Sequence, residues 1–502
     1  MSYYSKEMPL SSYKLSPLSD ANFNALSKAD KLLVADKLLS TLFFSYPLSV
    51  LQEKIDSGRF VSSIENGLQE TTTDISALES EILDEKKYYR PGGQEEAVDI
   101  LSRFYAAKNL DKYFFDNWVA YTLTQTIMFS PAYELDSSHT PNIARVYNRL
   151  VTLLQDDASM RFITYVHMSS EDNWRRFRSP EDNGREMLEI FTFDKNDADV
   201  PLAATALQNW KLDRDYDTLV VGLNENTKPL SLFGTTVYNG DDFYREMVKS
   251  KAFTHGVVKR LVQFFFTDDT PAQIESITNS IVASNPQTWQ GILKQIVFSK
   301  EYLLYTTRAK SAEEEFFSLA KKMDFQTRRY TIYYFKYALE NMHQAAMKYK
   351  LGKLKRVPLD TLSFANYSKY MREEILMRRS NPDYADDYES WSRQGWSESF
   401  IGRDKFQTVG ENPIATLHNF INYLFQATIA RDALPKEMAM FDSLMIEEKN
   451  GVKNVVGHFD ILDYRLDDNG VRYGDRYKRY VAYTVLDYIN RLQDVYLFKK
   501  VN

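Results

Sequence analysis

The chain has 502 residues, 44% of them hydrophobic and none of them cysteine, and 62 basic against 69 acidic side chains leave a net charge of -7. Such a length and apolar content support a large buried core and two or three folding units, or one large helical body. The lack of thiols excludes disulfides, thiolate metal sites, cysteine-held iron–sulfur clusters and a cysteine nucleophile, and the acidic balance offers no positive field to gather nucleic acid, so no nucleic-acid partner is expected.

The first residues, MSYYSKEMPLSSYKLSPLSD, have no apolar stretch behind a basic start. No secretory signal is read there, and the default expectation is a cytoplasmic protein, or an envelope or exported one if a leader has been removed. The most apolar early run, KLLSTLFFSYPLSVLQEK, is too short and too polar to span a bilayer and reads as a buried helix ending before Pro47, followed by a second helix. HTPNIARVYNRLVTLL places Thr140 as a helix cap and Pro141 at the first helical position, with Ile143, Val146, Tyr147, Leu150 and Leu154 along one side. Strand signals are few; DTLVVGL at 217–223 is one. DDTPAQIESITNSIVAS repeats the cap with Thr270 and Pro271 ahead of Ile274, Ile277 and Ile281, and SNPQTWQGILKQIVF is expected to repeat it around Pro286.

The densest basic run, Lys348, Lys350, Lys353, Lys355 and Arg356, reads as a solvated helix end. From about Pro358 to Glu411 the text turns polar and aromatic without long periodicity, which predicts a loop-rich insertion. Within it Tyr384, Tyr388, Trp391 and Trp396 form a candidate surface for a glycan or peptide, and the nearby Asp383, Asp386, Asp387 and Glu389 read as a solvated acidic loop. HFDILDYRLDDNGVRY predicts a hairpin turning at Asn469 and Gly470. The whole pattern predicts a mainly α protein, a multi-helix globular bundle with a few short strands or hairpins. Its predicted regions are an N-terminal helical part over 1–130, a central helical core over 131–310 and a C-terminal helical part over 311–502 that carries the insertion.

SPEDNGREMLEIFT, residues 179–192, packs four carboxylates and one arginine into a short helix. Ser179 suits the cap and Pro180 the first position, and Glu181 with Asp182 complements the positive end of the helix dipole. At about 100 degrees per residue, Gly184, Met187, Leu188, Ile190 and Phe191 share one side while Glu181, Asp182, Arg185, Glu186 and Glu189 share the other. Surface pairing of Glu181, Arg185 and Glu189 accounts for the charges without chemistry, each pair contributing roughly 0.2–0.5 kcal/mol. The chemical alternative is that Glu181, Glu186 or Glu189 faces a second element and helps hold a hard cation. The six histidines show no His-x-x-x-His spacing, and no P-loop, nucleophile elbow or dinucleotide fingerprint occurs. The stretch around Gly470 fails as an EF-hand, with Arg465 and Arg476 at ligand positions.

Several blocks between Pro141 and about Tyr302 carry a family likeness. They are RLVTLLQDDASMRFITYVHMSSEDNWRRFRSPEDNGREMLEIFTFD, AATALQNWKL ending near Trp210, TKPLSLFG ending at Gly234, and VVKRLVQFFFTDDTPAQIESITNSIVASNPQTWQGILKQIVFSKEYL with Ser299, Glu301 and Tyr302 at its close. Together they resemble the large bacterial family called domain of unknown function 1800, which has no established activity; weaker likeness lies at 36–66, at RAKSAEEEFFSLAKKM and at GWSESF. Members often carry a His-Asn-His-Phe run and a His-Asp pair, and this chain has Asp116, Asn117, Trp118 and Val119 at the first and Asn224 and Glu225 at the second. The resemblance therefore implies Asp116, Glu181 and Glu186 as the remaining candidate metal ligands, a set that favours Mg or Ca over zinc or iron. Relatives commonly carry export signals, which implies a place at the bacterial cell envelope. The expected function is a binding or scaffold component with a protein or glycan partner. The alternatives are a cation-dependent hydrolase or oxidase using the carboxylates, and glycan or peptide binding through the aromatic loop; no motif decides whether the chain is an enzyme.

Overall fold

The computed structural model describes residues 14–86, 95–128, 143–193, 197–213, 218–323, 329–342, 344–347, 365, 368–369, 409–466, 470 and 472–501, and their fold is mainly α. The first half runs through α1 (Asp20–Asn24), α2 (Lys28–Thr41), α3 (Leu48–Asp56), α4 (Phe60–Gly67), α5 (Ile75–Lys86), α6 (Glu95–Ala106), α7 (Lys112–Thr126), α8 (Ile143–Gln155), α9 (Met160–Met168), α10 (Glu171–Arg176), α11 (Pro180–Met187) and α12 (Val200–Ala206). Then come α13 (Gly240–Lys249), α14 (Lys251–Phe265), α15 (Pro271–Ala283), α16 (Trp289–Val297), α17 (Ala312–Lys322), α18 (Arg329–Asn341), α19 (Pro413–Ile429), α20 (Pro435–Met445) and α21 (Tyr473–Ile489). None of the described helices is long and apolar enough to cross a membrane.

Strands occur among the described residues as short antiparallel pairs. They are β1 (Trp210–Asp213) with β2 (Thr218–Val221), β3 (Leu230–Leu232) with β4 (Thr235–Val237), β5 (Arg308–Ala309) with β8 (Leu497–Phe498), and β6 (Ile446–Lys449) with β7 (Val452–Val455). The strand predicted at 217–223 is β2. At Asn450 and Gly451, φ values of 54° and 75° give the left-handed turn that Asn-Gly favours, and this turn joins β6 to β7. Of the hairpin predicted to turn at Asn469 and Gly470, the described residues show a bridge between Leu466 and Arg472, and α21 begins at Tyr473 and takes the second arm; Asn469 lies outside the described residues.

Caps explain many helix starts. The Ser179 hydroxyl accepts from the Asp182 amide at 3.1 Å, and Thr270 with Gln273 forms a reciprocal capping box. The helix expected around Pro286 starts instead at Trp289, since it is the Thr288 hydroxyl that accepts from the Gly291 amide, at 3.1 Å. Thr140 and Pro141 lie outside the described residues, but Val146, Tyr147, Leu150 and Leu154 of α8 are buried as predicted. The apolar side read for the 179–192 segment, with Met187, Leu188, Ile190 and Phe191, is also buried.

Beyond Met187 that segment opens into a π-helical turn (Leu188–Thr192), which the sequence did not announce. A π turn frees carbonyls from the usual ladder. Arg260 of α14 takes two of them, donating to the Ile190 oxygen at 2.8 Å and the Glu189 oxygen at 3.0 Å. Gly256 lets α14 approach this closely; a Cβ there would stand 2.5 Å from the Phe191 oxygen.

One hydrophobic cluster runs from Leu18 to Val501, so the described parts of all three predicted regions share a core. A second π-helical turn (Glu301–Tyr305) is a junction for distant parts of the chain. On one side the Glu301 carboxylate accepts the Ser16 amide at 2.8 Å and its hydroxyl at 2.9 Å, and Leu18 donates to the Phe298 carbonyl at 2.8 Å. On the other, Val501 donates to the Leu304 carbonyl at 3.0 Å and β8 pairs with β5.

Candidate functional site

The carboxylates singled out from the sequence stand in separate settings. Asp116, on α7, is buried and already engaged, accepting from the Lys112 ammonium at 2.8 Å and the Gln290 amide at 3.0 Å. Burial pushes its pKa up against those two donors. Glu181 is exposed on α11 and sits 3.5 Å from Arg185, which also reaches Asp197 at 3.3 Å; Glu186 is half-buried on the same helix. Among the described residues no group of three or more His, Asp or Glu side chains is placed to hold a metal ion. Tyr384, Tyr388, Trp391 and Trp396, the acidic residues beside them and the basic run from Lys348 to Arg356 lie outside the described residues.

Charge converges instead just before α11, in a cleft of about 440 Å³ between α8, the end of α9, the start of α10 and β2. Because the apolar side of α8 packs on α7, its residues Arg145 and Arg149, four apart, share the flank that faces α10. Arg149 donates to the Asp172 carboxylate at 3.0 Å and to the Ser170 hydroxyl at 3.2 Å. Arg175 reaches the other Asp172 oxygen at 3.3 Å, while Arg145 stands 3.7 Å from Asp172 and 3.5 Å from Glu171. Asp172 is buried. The three guanidiniums thus face two carboxylates, and the outermost, Arg145, has a side chain 43% exposed.

Local sequence builds this cleft. Ser170 caps α10, which places Glu171 and Asp172 in the first turn and Arg175 and Arg176 in the last. Trp174 is fully buried and stacks on Trp210 of β1 with ring centroids 5.9 Å apart, fastening α10 to the hairpin. Val166, Ser169 and Leu219 complete the lining. Behind it His167 is buried, and its Nδ1 has no hydrogen-bond partner. Burial, helped by the Arg149 and Arg176 guanidiniums, pushes the His167 pKa down to about 3.

A second concentration of charge, also unread in the sequence, is sealed inside the protein where α2, β5 and α17 meet. Lys322 donates to Asp36 at 2.7 Å, and Lys310 donates to Glu315 at 2.9 Å while standing 3.7 Å from Asp36. Arg308 pairs with Glu314 and donates to the Tyr302 hydroxyl at 2.9 Å. Tyr121 donates to Glu313 at 2.9 Å, and Lys37 donates to the Thr306 carbonyl at 2.6 Å. Burial raises the Asp36 pKa, yet the Lys322 and Lys310 ammoniums outweigh it and hold that carboxyl below its usual range; for Glu315, burial wins and pushes it up. Lys37, Arg308, Lys310, Lys322, Asp36, Glu313, Glu314 and Glu315 are all buried, and burial, with the Arg308 guanidinium nearby, pushes the Lys37 ammonium well below its usual pKa.

The chain matches no family model, no curated protein and no solved structure.

Proposed function

We propose that this protein is a binding component whose partner presents a carboxylate to the cleft formed by Arg145, Arg149, Ser169 and Ser170. The observation that carries this reading is the surplus guanidinium: Arg149 and Arg175 serve the buried Asp172, while Arg145 stays open to solvent at the rim and touches acids only at 3.5–3.7 Å. Guanidinium is the side chain best shaped to take a carboxylate, and a cleft of about 440 Å³ falls within the usual size range of ligand pockets. The kinship with domain of unknown function 1800 is likewise our proposal, resting on the residues between Pro141 and Tyr302. The metal-dependent alternative is not carried forward, since Lys112 and Gln290 already occupy the Asp116 oxygens.

Calorimetric titration with a hexaglutamate peptide tests the binding reading. Binding should weaken with added salt, fall about tenfold or more in Arg145→Glu, and be absent for hexalysine. The partly exposed Arg145 is a minor contributor to stability, so its variant should fold like the parent. Equal binding by the parent and Arg145→Glu, or no binding of hexaglutamate by the parent, would refute the proposal.

A further inference from the structure

The cleft does not end at its polar wall. Leu219, which lines it, belongs to β2, and among the described residues β2 pairs with β1 on one side only. The register sets Val221 opposite Trp210 and Leu219 opposite Leu212, and Gly222, next in line, donates to the Asn209 carbonyl at 2.8 Å. Hydrogen-bonded pairs alternate in an antiparallel ladder, so Val220 and Thr218 bond toward β1 while the amides and carbonyls of Leu219 and Val221 point to the outer edge. No backbone bond between described residues uses them on that side. The strand also lacks the usual protections of an edge: it has no proline and no charge, and Val220, Val221 and Leu223 are exposed at 46%, 53% and 100%.

We infer that this edge takes an extended segment of a partner protein by strand addition, with an aspartate or glutamate side chain of that segment seated against Arg145. The inference rests on the cleft reading above and extends it from a charge to a backbone. A strand laid along Leu219 and Val221 passes the mouth of the cleft, because Leu219 is part of both. Main-chain bonds to Leu219 and Val221 supply affinity, alternate side chains meet Val220 and Leu223, and the guanidinium fixes register by donating to a carboxylate at one position only. An excess positive charge beside an uncharged apolar edge selects an acidic β-branched segment over a basic one.

The test is selection from a displayed library of random dodecapeptides against the intact chain, followed by affinity measurement on the selected peptides by fluorescence anisotropy. Selected sequences should share one acidic residue within alternating β-branched residues. Val221→Pro removes the outward amide and leaves the ladder to β1 intact, and it should weaken binding about tenfold or more while the circular dichroism spectrum stays unchanged. Arg145→Glu should abolish the preference for the acid. If Val221→Pro does not fold like the parent, N-methylation along the peptide backbone supplies the same measurement from the other side. Strand addition is overturned if nothing is retained, if binding ignores both Val221→Pro and N-methylation, or if it requires a free peptide C-terminus rather than an acidic side chain. Binding that depends on Arg145 but not on the edge would remove the strand and leave the cleft.

Discussion

The charge cluster of α2, β5 and α17 and the cleft of α8 and α10 use the same kinds of side chain to opposite ends. In the first, the pairs Lys322–Asp36, Lys310–Glu315 and Arg308–Glu314 are sealed from water, Lys37 is held by the Thr306 carbonyl, and Tyr302, Tyr121 and the Ser311 amide make further hydrogen bonds. In the second, a buried aspartate consumes two arginines and a third remains at the rim. Balance inside a protein makes a strut; imbalance at an opening makes a recognition surface. A buried ion pair need not stabilise the fold compared with an apolar replacement, but removing one partner strands the other in a medium that cannot solvate it.

The sharpest way to break this comparison is to unbalance the sealed cluster. Lys322→Met leaves Asp36 with Lys310, 3.7 Å away, and the Ser40 hydroxyl at 3.1 Å, and should lower the unfolding free energy by about 3–5 kcal/mol in urea titration. A loss below about 1 kcal/mol would mean that water reaches Asp36 and that the two regions differ less than their burial suggests. The inner wall of the cleft should behave as a milder version of the same thing. Arg149→Ala removes the 3.0 Å partner of Asp172 but leaves Arg175 at 3.3 Å, so a loss of about 2 kcal/mol is expected by the same titration.

The smallest effect at ordinary pH, and the one that grows with acid, belongs to His167. Its folded pKa is near 3 against 6.5 for the free group, so between these values the unfolded chain binds a proton that the folded chain does not. Its contribution is therefore complete above about pH 6.5 and falls by about 1.4 kcal/mol per unit below it, reaching about 2 kcal/mol at pH 5. Unfolding titrations of the parent and His167→Gln at pH 7 and pH 5 isolate this slope. Equal pH dependence in the two would show that the imidazole is not shut away behind the cleft.

Much of the framework was legible because it is local. Ser179 and Thr270 announce their helices by hydroxyls that need no distant partner, and the spacing of Ile274, Ile277 and Ile281 shows which side is buried. Asn450-Gly451 and Asn469-Gly470 carry the same Asn-Gly signal, but the first joins two strands while at the second the following helix takes the second arm. The π turn after Met187 depends on Arg260, some seventy positions downstream, and no periodicity within 179–192 encodes it. The sealed charges were hidden for a related reason. Glu313, Glu314 and Glu315 look like a solvated helix start, and only the arrival of Asp36 from α2 and Lys310 from β5 makes them interior. For the cleft a signal existed: Arg145 and Arg149 lie four apart with no acid on α8 to answer them, and the Ser170 cap brings Glu171 and Asp172 to meet them.

The junction at Glu301–Tyr305 has a bearing on how the molecule comes together. The Arg308 guanidinium lies 5.1 Å from the Phe498 ring, and the strand that carries that ring is among the last described parts of the chain to leave the ribosome. Until Leu497 and Phe498 arrive, that guanidinium is wet on one side and the sealed cluster stands ajar. Dehydrating it is a late, long-range event, the kind that slows folding and leaves a nascent chain dependent on protection before it closes.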